Sequence, residues 1–415
     1  MIEFVKRYSL ASWALFSVMA GFMVYQMLKL PEPFIWGLRI IVLVVVLRNT
    51  NRKFVDKTGL KLTYLFIAWL FFEIIRSLFF AEGYWMYKNI INQLLLVFFY
   101  FVIVLSANMR LVQDYLALYW KFFIPMVLLS LIVYRTPAGY DYVPFMVLAI
   151  FYGQIPKKQS LFLFLILTLF FFSLTQRNDL IKLTFSSLLG LSLAYLYIPK
   201  WIFKFGQATF LLLPAILLYL ASTGTFNVFK MDEYIKGDYS QEVNTDEGIE
   251  HDDLKADTRT FIYQNVFYTM TKYDAWVLGR TPAFGDEGVQ GFWGKDVETG
   301  LIGRYGNEVG VMDILLWYGL IAVVMYFMLY AWASYLAIYK SKSKYARGVG
   351  VYVAFLWMWA FIWEKPMVET FFMVDLILIG LCFSKQFRQM NDIEIRLWIR
   401  GIFAVRRKKK KLIII

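Results

Sequence analysis

One cysteine and one histidine are all that this 415-residue chain offers to thiolate or imidazole chemistry. Cys382 lies in an apolar run and has no partner, so an intrachain disulfide is excluded and a cysteine-based metal site has no basis. His251 sits in Glu250-His251-Asp252-Asp253, a polar patch in which a solvated imidazole is the plain reading. There is no Walker A loop, no His-Glu-x-x-His and no Gly-x-Ser-x-Gly. The signatures of nucleotide-driven work, zinc hydrolysis and the serine nucleophile elbow are therefore missing. Long polar stretches are missing too, with one exception between Thr223 and Asn307.

What is there is apolar. The chain is 60% hydrophobic and 20% aromatic, with a mean hydropathy of +0.56, more than a soluble protein of this length carries. Apolar runs of about 17–25 residues recur, the length a bilayer core requires. They are continuous, unlike the alternating segments of a β-barrel. The expectation is an all-α polytopic membrane protein of about twelve transmembrane helices, with one large outer loop between helices nine and ten. The spans fall near Ser9–Lys29, Pro33–Leu47, Leu60–Phe80, Met86–Ser106, Tyr119–Tyr134 and Asp141–Tyr152. They continue near Ser160–Leu174, Asp179–Ile198, Phe205–Ser222, Glu308–Ile338, Val349–Trp363 and Met367–Phe383. No cleaved leader is expected at Met1–Tyr8. The chain then divides into a bundle (1–222), the outer loop with short amphipathic helices (223–307), a second part of the bundle (308–383) and a basic tail (384–415).

Charge supports this order. The net charge is +13, yet Thr223–Asn307 holds fifteen acidic and eight basic residues, or −7, which leaves +20 elsewhere. With both termini in the cytoplasm, Arg48, Arg52, Lys53, Lys57, Arg110, Lys157, Lys158, Lys200, Lys204 and Lys340–Arg347 all fall inside. The run Arg406–Lys411 then faces anionic lipid and not nucleic acid. Ile393–Val405, with Trp398, Ile402 and Phe403, is either an interfacial amphipathic helix or a disordered tail.

Four places can carry chemistry. In Thr175-Gln176-Arg177-Asn178-Asp179, Arg177 can pair with Asp179 or hold a phosphate bidentately. Further on, Asp257 or Thr258 is a natural cap for a helix whose apolar positions are Ile262, Val266, Phe267 and Met270. Arg259 then falls in the first turn, where free N–H groups favour anions. The alternative is a roof helix with Arg259 paired to Asp252 or Asp253. Leu278-Gly279-Arg280-Thr281-Pro282-Ala283-Phe284-Gly285 joins turn-forming glycines to Arg280. Trp276, Phe292 and Trp293 offer flat faces to sugar rings, or simply pack the loop. Finally, Arg304-Tyr305-Gly306-Asn307-Glu308 opens the tenth span, with Asn307 as the expected cap. Glu308 is either a dipole-stabilised acid or a general base at the mouth of the bundle. Asp313, about 140° round the axis and roughly 7.5 Å deeper, stands behind it. Within the spans, Glu73 and Arg76 can neutralise each other at i,i+3. Lys182 and Asp375 are candidates for buried pairs or for a conduction path.

These residues resemble a family. Twelve spans, an arginine before span eight, a large outer loop before span ten and a Gly-rich stretch look like the bacterial O-antigen polymerase and O-antigen ligase superfamily. Arg259-x-x-x-Tyr263-x-x-Val266 and Leu278-Gly279-Arg280-Thr281-Pro282 are similar to its Arg-x-x-x-aromatic helix and Leu-Gly-x-Gly turn. Glu308–Ile321 is similar to its His-Asn-x-x-Leu…Gly-Leu-Ile-Gly helix. Here Glu308 stands for the ligase histidine, Val309 for the asparagine, and Pro282 or Gly285 for the second glycine of the turn. The missing histidine favours a polymerase.

The resemblance implies a glycosyltransferase that needs neither metal nor cofactor and acts on the outer face of the bacterial cytoplasmic membrane. Its donor and acceptor would be undecaprenyl-diphosphate-linked glycans. Its other partners would be the bilayer and a chain-length regulator protein, with no nucleic acid. Arg177 and Arg259 would hold the diphosphate and Glu308 would deprotonate the acceptor hydroxyl. Arg280, Arg304, Trp276, Trp293 and Asp313 would complete the substrate site. The alternatives are a ligase with another acceptor and a transporter of lipid-linked sugar resting on Glu73, Arg76, Lys182 and Asp375.

Overall fold

The structure is a computed structural model that describes residues 8–28, 30–49, 52–123, 143–173, 177–230, 233–234, 240–245, 248–253, 257, 259–287, 304–363 and 369–404. Most of the fifth expected span, the residues Thr175, Gln176, Thr258, Phe292 and Trp293, and the run Arg406–Lys411 lie outside the described residues.

Helices occupy the other expected spans. They are α1 (Leu10–Leu28), α2 (Glu32–Asn49), α3 (Lys57–Ser77) and α4 (Tyr84–Val97), the last running through a 3₁₀ turn into α5 (Val102–Ser106). Then come α6 (Met109–Leu118), α7 (Val143–Ile150), α8 (Lys157–Ser173), α9 (Arg177–Tyr195) and α10 (Lys200–Ser222). After the polar segment follow α11 (Thr260–Lys272), α12 (Gly310–Tyr339), α13 (Lys344–Trp359), α14 (Glu369–Phe383), α15 (Lys385–Gln389) and α16 (Asp392–Phe403). Among the described residues, Lys57–Ser77, Tyr84–Ser106, Lys200–Ser222 and Gly310–Tyr339 are long and apolar enough to cross a membrane. This is a multi-pass membrane architecture. On α10, Phe205, Leu212, Ile216 and Tyr219 are exposed, as a lipid-facing helix requires.

The polar segment was expected to be a loop with short amphipathic helices. Among the described residues it holds the helix α11 and also a β-hairpin, in which Ser240–Thr245 pairs antiparallel with Gly248–Asp253.

At the centre of the bundle α12 packs on α3, α13, α14 and α10, with α11 across its start. On α14 every residue from Phe372 to Phe383 is buried, Asp375 included. Two ends can be told apart by their contacts. At one end the Asp56 carboxylate caps α3 through the Thr58 and Gly59 N–H groups and accepts from the Trp332 indole at 3.2 Å. Arg388 lies 3.6 Å from it. The tail helix α16 closes this end. Asn391 and Glu394 form a capping box, Ile395, Trp398, Ile399 and Ile402 are buried, and the Trp398 indole donates to the Met109 carbonyl at 3.0 Å. The amphipathic reading of the tail is the one the structure adopts. At the opposite end lie α11 and the loop that follows it.

Candidate functional site

The site is built on a broken helix. At Gly319 the backbone of α12 turns to φ 73°, ψ −179°, a region essentially reserved for glycine. The break frees backbone groups inside the bundle, where each unpaired one costs several kcal/mol. The loop after α11 supplies the partners. The Arg280 N–H donates to the Leu316 carbonyl at 2.7 Å, and the Leu320 N–H donates to the Trp276 carbonyl at 2.9 Å. From α3, the Trp69 indole donates to the Tyr318 carbonyl at 2.9 Å. Gly279, itself at φ 80°, lies against the break so closely that a Cβ there would meet Gly319 N at 2.6 Å.

Arg76 fastens this turn from below. Its Nε donates to Glu73 Oε2 at 2.6 Å, the pair the spacing predicts, and one terminal nitrogen donates to the carbonyls of Leu278 and Gly279 at 3.0 and 2.6 Å. From α4, Asn89 Nδ2 donates to the Pro282 carbonyl at 2.5 Å. Glu73 and Arg76 therefore hold the loop in place.

Above the turn lies α11. Asp257 Oδ1 accepts from the N–H groups of Arg259 and Thr260 at 3.1 and 2.9 Å. The N-cap position is Arg259, not Asp257 or Thr258 as expected, so Asp257 ties down the chain just ahead of the helix and Arg259 flanks the first turn instead of lying inside it. Ile262, Val266 and Met270 are fully buried, while Phe267 faces outward. The Tyr263 hydroxyl donates to the Phe361 carbonyl and pins the helix over the end of α13. Burial pushes the Tyr263 hydroxyl pKa upward, and the nearby Arg259 opposes this.

Three side chains meet beneath α11. One terminal nitrogen of Arg259 is 3.6 Å from Glu308 Oε2, and one of Arg304 is 3.7 Å from Glu308 Oε1. These are ion pairs rather than hydrogen bonds. Arg259 is buried, whereas Glu308 is 36% exposed and Arg304 26%, so a ligand can reach the carboxylate. Arg259 was not expected to meet Glu308: it was expected either to hold a phosphate or to pair with Asp252 or Asp253.

The turn carrying Glu308 also differs from expectation. Asn307 does not cap α12. The N-cap position is Val309, and both side-chain amide atoms of Asn307 are buried with no hydrogen-bond partner among the described residues. The Asn307 N–H donates instead to Asp313 Oδ1 at 2.7 Å. Buried Asp313 therefore braces the turn. In the first turn of α12 the Val311 N–H donates to the Ala360 carbonyl at 3.1 Å.

Arg280 is engaged within the loop. Its guanidinium lies 3.8 Å from the Tyr273 ring centre, donates to the Gly285 carbonyl at 3.0 Å and pairs with Glu287 at 3.2 Å. Glu287 also pairs with Lys272 at 2.6 Å. Burial raises the Glu287 pKa, but its bonds from Lys272 and Tyr273 outweigh this and leave it below the usual carboxylate value. The Trp276 ring packs on Phe267 at 5.5 Å. Arg177 is the first residue of α9, and its side chain lies outside what the structure describes.

Two features escape sequence reasoning. Thr281 has φ 72° and is buried. It stands third after Leu278, where the Leu-Gly-x-Gly pattern puts its second glycine, so the left-handed position is neither Pro282 nor Gly285. The second is Asp286, which is 1% exposed. Its backbone bridges Arg304. Burial raises its pKa to about 6, against the opposing effect of backbone N–H groups and of the Arg304 and Arg280 charges.

Comparison with family models, with curated proteins and with solved structures finds no match to this chain.

Proposed function

We propose that this chain is a glycosyltransferase that polymerises undecaprenyl-diphosphate-linked oligosaccharide repeat units on the outer face of a bacterial cytoplasmic membrane. In this reading it crosses the membrane about twelve times, with both termini inside. The observation that carries the reading is the meeting of Arg259, Arg304 and Glu308 under α11, at the bundle end opposite the tail helix α16.

Glu308 occupies the anion seat between two guanidiniums. Such partly exposed pairs are worth about 0–1 kcal/mol, so they are easily exchanged. A diphosphate offers more charge and matches the guanidinium fork. It takes over Arg259 and Arg304, with Arg177 as a third cation, and Glu308 is released as a base. The acceptor hydroxyl oxygen then attacks the donor anomeric carbon. The new C–O bond forms as the C–O bond to phosphate breaks. Undecaprenyl diphosphate leaves with the electron pair, and the hydroxyl proton passes to Glu308. The transporter alternative loses support, because Arg76 and Glu73 are committed to the loop.

The test uses purified full-length protein with the lipid-linked repeat unit alone, and neither nucleotide nor other acceptor. A ladder of longer lipid-linked products, lost in Arg259→Ala, is the expected result. Consumption that requires a different acceptor would replace polymerase with ligase. Sugar crossing a sealed membrane without a new bond would replace both with transport.

A further inference from the structure

The tip of the loop after α11 turns two apolar side chains outward. Val277 is 57% exposed and Leu278 40%, while Ala275 and Gly279 are buried. Hydrogen bonds fix where the tip lies. Arg76, in the last turn of α3, donates to the Leu278 and Gly279 carbonyls, and the Leu320 N–H of α12 donates to the Trp276 carbonyl. The tip therefore sits between α3 and α12, two helices long and apolar enough to cross a membrane. Each of them carries an exposed apolar stripe at helical spacing, with Phe72, Ile75 and Phe79 on one side and Leu320, Val324 and Met328 on the other. Val277 and Leu278 join these stripes at their α11 ends.

The depth follows from α3. Its exposed lysines, Lys57 and Lys61, mark the edge of the hydrocarbon at the tail-helix end. Arg76 lies about 28 Å along the axis from the first and about 22 Å from the second, at 1.5 Å per residue. A hydrocarbon core is ~30 Å thick, and any tilt of α3 only lowers Arg76 within it. Exposed apolar residues continue past Arg76 to Phe79 and Phe80, and the next exposed charge is Glu82. What Arg76 grips thus lies within the hydrocarbon and not above it. The tip is built for that place. Irregular backbone at such depth must be bonded within the protein. Here Arg76 takes two of the carbonyls, the Gly279 N–H donates to the Ala275 carbonyl at 2.7 Å, and the Arg280 N–H donates to that of Leu316. Further from the tip the exposed residues become Thr271, Lys272, Tyr273 and Asp274, the mixture of a membrane interface.

We propose that Val277-Leu278 is a membrane foot, whose side chains rest among the acyl chains of bilayer phospholipid in the leaflet on the α11 side. The occupant is bulk lipid, because the foot continues two stripes that belong to membrane-crossing helices. The segment that seals the Gly319 break is thereby held from two directions, by Arg76 on the protein side and by hydrocarbon on the other. Neither foot residue belongs to the Arg259–Arg304–Glu308 cluster, so the proposal stands whatever that cluster catalyses.

The experiment places a nitroxide on the full chain at Val277→Cys or Leu278→Cys, in phosphatidylcholine vesicles. Cys382 is fully buried and stays in place, with the unsubstituted chain as the labelling blank. Met328→Cys is the hydrocarbon reference and Lys385→Cys, exposed at the tail-helix end, the aqueous one. Every labelled protein is first shown to elute as a single folded species. Electron paramagnetic resonance then gives the ratio of collisions with oxygen, which concentrates in hydrocarbon, to collisions with a polar nickel chelate, which is excluded from it. At both foot positions this ratio is expected to exceed that of Lys385→Cys by more than ~3-fold and to approach that of Met328→Cys. A smaller excess at either position overturns the foot. Protection from both reagents overturns lipid as the occupant, because a protein surface would then cover the tip.

Discussion

Gly319→Ala is the sharpest perturbation of this structure. The backbone there, at φ 73° and ψ −179°, costs an L-residue about 1–3 kcal/mol. The added Cβ would lie 2.1 Å from the Val277 carbonyl oxygen and 2.7 Å from Gly279 N. Both are backbone atoms and cannot swing aside. Overpacking of this kind costs about 1–3 kcal/mol more. The expected total is about 2–6 kcal/mol. Gly37→Ala is the control, because α2 is helical there and nothing lies within 4 Å of the added atom. Alanine in that helix should be neutral or gain up to ~1 kcal/mol. Since large membrane proteins unfold irreversibly, the assay is the half-life of the folded form at one elevated temperature in one detergent. Gly319→Ala should shorten it at least ~10-fold relative to Gly37→Ala. Half-lives within about twofold of each other would mean that the break in α12 and its seal do not exist as described.

Other outcomes follow from the same contacts. Arg76→Ala leaves Glu73, fully buried, without its cation and should destabilise by on the order of 3 kcal/mol. Adding Glu73→Gln should recover most of that in thermal melts, and additive losses would refute the coupling. For Asp286 the folded pKa is raised from 3.8 to about 6. The folded state therefore binds the proton more tightly, and stability from this group falls as pH rises through about 4 to 6. The loss above pH 6 is about 3 kcal/mol. Asp286→Asn should accordingly melt higher than wild type at pH 8 and lose that advantage at pH 4. A difference that does not vary with pH would count against it. Glu308→Gln should change stability by less than ~1 kcal/mol, because its ion pairs are long and partly exposed. It should slow product formation in the ladder assay by about 10²–10⁴. An unchanged rate would remove Glu308 as the base.

Local signals were legible wherever they were sufficient. Asp257 ahead of Ile262, Val266 and Met270 announces α11, and Trp398 and Ile402 announce the buried face of α16. Glu73 and Arg76 are three apart and do pair. The break at Gly319 left no trace in the pattern, since apolar residues run straight through it and its cause lies some forty positions back, at Val277 and Gly279. Asp286 was one acid among many in an acidic loop, and only enclosure by the folded chain makes it unusual. Asn307 looked like a cap because asparagine before a helix usually is one. Asp313 captures its N–H and redirects it. The meeting of Arg259 and Glu308 could not be read either, because it depends on Tyr263 docking α11 onto the end of α13.

Trp276 and Arg280, whose backbone groups seal the break, come before α12 in the chain. Synthesis runs from the N-terminus, and earlier parts fold first. By the time Gly319 leaves the ribosome, the segment that will cover it has already been made. A rearranged chain with α12 ahead of that segment could reach the same final contacts. It would first have to carry bare carbonyls through hydrocarbon with nothing to meet them. The direction in which the polypeptide is made is thus part of what makes an interrupted helix tolerable here.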